Sequence, residues 1–230
     1  MTAWPHHVAP LGDRALTIDF PDVDAAAIRD LLRAFDARVH ADAPAGLTAR
    51  VPAIRTLTLH YEPTRTSYDA LRSYVEATLA GLTVTPEAPR EPVVIPVCYG
   101  GEFGPDLPAV AVAHDTTPAD IVEAHAAGCY TVAMLGFLPG FPYLDGLDRA
   151  LHTPRRATPR TSVPAGSVGI GGSSTGVYPF ASPGGWQIIG RTPMALFSPE
   201  RTPPALLQAG DQVRFVAITD DELRRYAARA

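Results

Sequence analysis

The stretch with the strongest look of chemistry is Gly171–Gly176, GGSSTG, which sets hydroxyls between glycines. As a phosphate loop it supplies glycines one and six of GxxxxGK[ST], whose backbone N–H groups cradle an anion. Val177 and Tyr178 stand where the lysine and the Ser/Thr belong, and that reading fails. As a nucleophile elbow, residues 172–176 fit GxSxG. An elbow must open a helix to present its serine, whereas VYPFASPGG follows, and its prolines and glycines forbid one.

A serine relay of the amidase type is the third match, and it needs a lysine. All 19 basic residues of this chain are arginines. No Schiff-base lysine, phosphate-loop lysine or lysine general base comes from it. The plain alternative for GGSSTG is a loop joining two strands. Thr175 and the amides beside it could still bind an anion as a nest.

Arginine is left to hold anions. Arg155, Arg156 and Arg160 lie in TPRRATPR, where proline excludes a helix and planar guanidiniums suit bidentate contact with carboxylate or phosphate. The alternative for them is an interface between protein chains or a solvated loop. Arg191, in GRTP, has the same two readings. Arg160 and His125 are the candidate catalytic residues; Arg155, Arg156, Thr175, Tyr178 and Arg191 are the candidate ligand-binding residues. His125 falls near the apolar side of its helix, three residues after Val122 and four after Ile121, where a hydrogen-bonded core histidine is the competing reading. His125 and Cys129 could offer two metal ligands, but nothing supplies a third at recognisable spacing, so no metal site is expected from this chain. Tyr143, Tyr178 and Trp186 sit among glycines and prolines, where they could floor a groove or simply pack.

The elements that must position these residues fall into two groups. Residues 1–82 read as a small α/β domain: a strand at Ala15–Phe20, a helix from about Asp24 to Arg38 carrying Ile28, Leu31, Leu32 and Phe35, a strand at Arg55–Tyr61, and a helix over Tyr68–Leu79 capped by Ser67 or Thr66. This alternation suggests a ferredoxin-like sandwich. The stretch 83–92, TVTPEAPREP, reads as a linker. Residues 93–230 begin with a strand at Val93–Val97, then a helix opened by Thr117-Pro118-Ala119-Asp120 and closed by Gly128, then a strand at Tyr130–Leu135. From Leu138 to Pro193 glycine and proline recur too often for a long helix. Short strands remain, SVGI, GVYPF and WQIIG, with a last strand at Gln212–Thr219 and a helix at Asp221–Ala228. Many short strands around one helix argue for a β-barrel or sandwich.

Composition limits the partners. The 230 residues are 46% hydrophobic and 19% charged, as in a folded protein, with a net charge of −5. No basic tract interleaved with aromatics occurs, so nucleic acid is not an expected partner. No apolar run approaches the roughly 20 residues of a membrane helix. The N-terminal stretch lacks the charged-then-apolar order of a secretory signal. Two cysteines, neither in a CxxC pair, fit a reduced cytoplasmic protein.

Three segments in order, GFLPGFPYLDGLD (136–148), PRRATPRTSVPAGSVGI (154–170) and TGVYPFASPGGWQIIGRTPMALF (175–197), resemble the family of KipI and the B subunit of 5-oxoprolinase, also met as allophanate hydrolase subunit 1. YGGEFGPDL (99–107), GDRAL (12–16), VPAIRTLTLHYEP (51–63) and the helix bearing His125 extend the likeness over nearly the whole chain. Where that family usually reads GIAGxQTGIYP, Gly171 replaces the alanine and Ser174 the glutamine. The resemblance implies a cyclophilin-like barrel for the second domain, and so an α/β (α+β) chain of two domains. It also implies partners, the C subunit of 5-oxoprolinase foremost, with the A subunit completing the enzyme. The implied reaction opens 5-oxo-L-proline to glutamate with ATP as co-substrate and Mg²⁺ at a shared site. An unstrained lactam is a poor electrophile, which explains the need for ATP. The same resemblance leaves open a KipI-like inhibitor of a sensor histidine kinase, or part of a related hydrolase for another small amide of the urea and allophanate kind.

Overall fold

A computed structural model describes residues 4–85 and 91–227, and the chain divides into two compact units, 1–88 and 89–230. Half of the expected linker 83–92, residues 86–90, lies outside the described residues.

The first unit runs β1 (His7–Pro10), β2 (Ala15–Asp19), α1 (Ala25–Asp42), β3 (Leu47–Pro52), β4 (Thr56–Tyr61) and α2 (Tyr68–Gly81). Its antiparallel sheet has the order β1-β2-β4-β3. Taken from β2, the path β-α-β-β-α is the ferredoxin-like one. The edge strand beside β2 is supplied from the N-terminal side as β1 instead of following α2, a circular permutation of that topology. Alternate residues Leu16 and Ile18 of β2, and Leu57, Leu59 and Tyr61 of β4, meet Ile28, Leu31, Leu32 and Phe35 of α1 and Leu71, Val75 and Leu79 of α2 in one core. Ser67 caps α2, its hydroxyl accepting the Ala70 N–H at 3.1 Å.

The second unit contains β5 (Val93–Tyr99), α3 (Leu107–Ala113), α4 (Pro118–Ala127), β6 (Cys129–Leu135), β7 (Pro142–Asp145), β8 (Arg160–Val163), β9 (Ser167–Gly171), β10 (Ser174–Val177), β11 (Ser182–Gly184), β12 (Gln187–Arg191), β13 (Gln212–Ala217) and α5 (Asp220–Ala227). Seven of these strands close a barrel in the order β10-β7-β6-β13-β5-β12-β9, and β8 and β11 pair as a separate ribbon. Inward residues at intervals of two fill the barrel: Ile95 and Val97, Tyr130 and Val132, Val168 and Ile170, Val213 and Phe215. The helix α4 opens with a full capping box between Thr117 and Asp120. Gly128 ends it for a different reason than the usual left-handed cap, since its φ is −66°. A Cβ there would stand 2.5 Å from the Tyr130 hydroxyl, so close approach of that ring requires glycine.

Candidate functional site

One carboxylate organises the arginine segment. Asp106, 4% exposed, accepts Arg160 Nη1 and Nη2 at 2.8 and 2.7 Å and Arg156 Nη1 at 3.0 Å. It also accepts the Ile188 N–H at 2.6 Å, while its own N–H donates to the Ile188 carbonyl at 2.9 Å. A buried carboxylate so surrounded is compensated twice over, by charge and by hydrogen bonds. The bond to Asp106 raises the pKa of Arg160 above its ordinary value. The segment 153–160 is pinned at other points too: Thr153 pairs with Gly172, the Arg156 N–H donates to the Gly185 carbonyl at 2.7 Å, and Gln187 Nε2 donates to the Pro154 carbonyl at 2.9 Å.

This pinning sets the remaining arginine over a cleft. Arg155 stands with its guanidinium carbon 5.9 Å from the centroid of the Trp186 ring, a cation–π contact. The cleft holds about 280 Å³, and Phe137, Phe141, Tyr143, Tyr178 and Trp186 give it aromatic walls. Phe141 stands edge-on to Tyr178 and Trp186 at 5.1 and 5.4 Å, and Tyr143 edge-on to Trp186 at 5.8 Å. The indole lies so close to the barrel that a Cβ on Gly171 would stand 2.5 Å from it. Glycine at 171 is what lets the indole approach so closely. The ribbon β8–β11 lends Val163 to this outer cluster and Gly184 to the cleft.

His125 lies elsewhere. It is fully buried, and its ring stacks on Phe215 at 4.7 Å inside the barrel core. The Thr175 hydroxyl donates to the Gly169 carbonyl at 3.0 Å, so it accepts from His125 Nε2–H at 2.9 Å. That leaves Nδ1 to accept the Tyr99 hydroxyl at 2.8 Å. Burial lowers the His125 pKa to about 3 and raises that of Tyr99. A histidine kept neutral in the barrel core, with Tyr99 and Thr175 engaging both ring nitrogens, is not free to take a proton from a ligand. The expectation of a catalytic His125 therefore does not fit its placement.

Thr175 is likewise buried, its hydroxyl spent on His125 and Gly169, and it offers no anion nest. Gly172 and Ser173 form a two-residue turn between β9 and β10, with Gly172 at φ +68°. GGSSTG is thus a hairpin. Arg156 and Arg160 are committed to Asp106, and Arg191 stands over Phe103 at 5.1 Å, away from the cleft. Of the seven candidate site residues, the structure brings Arg155 and Tyr178 to the cleft, with Tyr143 and Trp186 beside them. Sequence reasoning did not single out Asp106, Phe137 or Phe141. A lone acid in GPDL and phenylalanines spaced through GFLPGFP were the available signals.

A closed barrel with an outer aromatic cleft and a separate four-stranded α/β unit is the frame of a carboxyltransferase-like domain. The model of the carboxyltransferase domain, subdomain C and D, matches residues 6–207, and the chain belongs to that family. It is 42% identical to the B subunit of 5-oxoprolinase from Bacillus subtilis over 96% of each chain. The crystal structure of TTHA0988, 38% or 37% identical by crystal form, superposes with a TM-score of 0.76 in its orthorhombic form, covering 89% of this chain and 40% of that longer one. The urea amidolyase of K. lactis shares the fold at a TM-score of 0.79 and 20% identity, over 98% of this chain and 16% of that one. Among the described residues no helix is long and apolar enough to cross a membrane.

Proposed function

We propose that the chain is the B component of an ATP-dependent 5-oxoprolinase, a cytoplasmic enzyme that opens 5-oxo-L-proline to L-glutamate only in company with its partner components. The observation that carries this reading is the 42% identity to the Bacillus relative along 96% of both chains. The site supports it in kind. The cleft joins aromatic faces to one available guanidinium, which suits binding a small polar ring, and no nucleophile–base pair lines it. A share in a larger active site is the natural role for such a surface. TTHA0988, in which this fold occupies 40% of a longer chain, favours a physical partner.

GGSSTG is a hairpin turn, and among the described residues no three His, Cys, Asp or Glu side chains group to hold a metal ion. On this reading ATP is the co-substrate and Mg²⁺ serves a shared site of the enzyme assembled with its C and A components.

Reconstitution tests the reading. The purified chain should show no 5-oxoproline-dependent ATP hydrolysis and should gain it, with glutamate release, on mixing with the C and A components. Turnover by the chain alone would remove the partner dependence. An assembled but inactive complex would overturn the assignment, and its action on another small amide, or inhibition of a sensor histidine kinase by the chain, would decide what replaces it.

A further inference from the structure

The loop between β6 and β7 holds a bulky residue in an uncomfortable backbone conformation. The Leu138 N–H donates to the Gly136 carbonyl at 2.8 Å, closing a three-residue turn on Phe137, whose φ is +69°. The positive-φ form of the γ-turn is the rare and strained one, and a bulky residue there is an outlier. The ring gains little burial in return. It is 61% exposed, touching Phe141 edge-on at 5.8 Å, at the rim of the cleft. Strain of this kind collects where a chain grips a ligand.

Arg155 adds the charge. Arg156 and Arg160 share the Asp106 carboxylate, but no carboxylate among the described residues pairs with Arg155. The aromatic walls around it carry no acid either. Its guanidinium is held in place over Trp186 and keeps its donors for a ligand, in the fork that matches a carboxylate.

We propose that this cleft binds a small, flat cyclic amide bearing a carboxylate, with Arg155 taking the carboxylate and Phe137 closing over the ring against Trp186. On the 5-oxoprolinase reading, on which this identification of the ligand rests, that ring is 5-oxo-L-proline. Arg155 and Phe137 are then substrate-binding residues.

Two measurements test it. With Trp4→Phe as background, Trp186 is the one remaining tryptophan and reports the cleft. Titration with 5-oxo-L-proline should change its fluorescence saturably, and 2-pyrrolidinone, the same ring without a carboxylate, should bind about ten- to a hundredfold more weakly. Arg155→Ala should erase that preference, and Phe137→Ala should weaken both ligands. In the reconstituted complex both variants should raise KM for 5-oxo-L-proline while assembly with the C component is unchanged. An active wild-type complex whose KM is unmoved by either substitution overturns the cleft proposal and leaves the 5-oxoprolinase reading intact. Saturable, carboxylate-dependent binding by the chain beside a complex with no turnover supports the cleft proposal and overturns the 5-oxoprolinase reading.

Discussion

The barrel interior and the cleft on its outer surface are built from the same kinds of residue, and they use them oppositely. Inside, His125 gives one nitrogen to Thr175 and the other to Tyr99, and stacks on Phe215. Each polar group of this His125 network has a partner, and the network has nothing left to offer. Outside, Arg155 lies over Trp186 without a carboxylate, and Phe137 holds its ring in water from a strained turn. A buried polar network that is fully satisfied makes a core specific and rigid. Unspent donors and uncompensated strain mark the surface where a ligand can supply what is missing. Between these two stands Asp106, which spends two arginines so that a third is presented.

The largest effect should come from removing that organiser. Asp106→Ala leaves two guanidiniums and the Ile188 N–H without their acceptor. It should cost about 3 kcal/mol, the low end for a broken buried ion pair because both arginines reach water. Urea denaturation measures it, and Trp186 fluorescence should show the cleft wall released. If stability and fluorescence are unchanged, the segment 153–160 is held by something other than Asp106, and the contrast loses its link.

The interior network should show itself through pH. His125 is neutral in the folded state, with a pKa of about 3, and ordinary, about 6.5, when unfolded. The unfolded chain therefore binds the extra proton. Stability is fully present above about pH 6.5 and drains away as pH falls toward 3. The loss by pH 4.5 should be about 2–3 kcal/mol from this group. Thermal unfolding of wild type and His125→Gln across that window compares the slopes. Equal slopes would mean that His125 titrates in the open and belongs with the cleft residues.

A smaller change separates strain from packing at the cleft. Phe137→Gly relieves the positive φ and should stabilise the chain by up to about 1 kcal/mol relative to Phe137→Ala, which keeps a Cβ there. Denaturation midpoints of the two variants give the difference. If alanine matches glycine, the turn is unstrained and the contrast is weaker.

The smallest effect is expected in the hairpin. Ser174→Ala, half-buried at the start of β10, should shift stability by no more than about 0.5 kcal/mol. It should leave substantial turnover in the assembled complex, whereas loss of a nucleophile costs orders of magnitude. Abolished glutamate release with intact assembly would restore the serine-hydrolase reading of GGSSTG.

Much of the fold was legible because local rules carry it. The period-two pattern of β4, the Ser67 cap, the capping box of α4 and the glycine–proline spacing after Leu138 each decide structure within a few residues. The short strands β1 and β3 and the helix α3 escaped because sheet pairing and burial, not their own pattern, make them regular. The cleft was half legible. Tyr143, Tyr178 and Trp186 were recognisable as aromatics that a glycine-rich segment could bring to a groove, and they do line one.

By itself the sequence determined the two-part organisation of its pattern, the absence of any lysine for covalent or phosphate-loop chemistry, and the failure of GGSSTG as an elbow, since these depend on residue types and neighbours along the chain. Only the tertiary structure decided which arginine is available. Arg155, Arg156 and Arg160 are equivalent as letters in TPRRATPR. Asp106, some 50 positions earlier in the chain, claims two of them and so selects the third. The same holds for His125, whose partners Tyr99 and Thr175 come from strands on either side of it in sequence. Whether a polar group is spent or free depends on what the fold places within about 3 Å of it, and that distance is not written in sequence order.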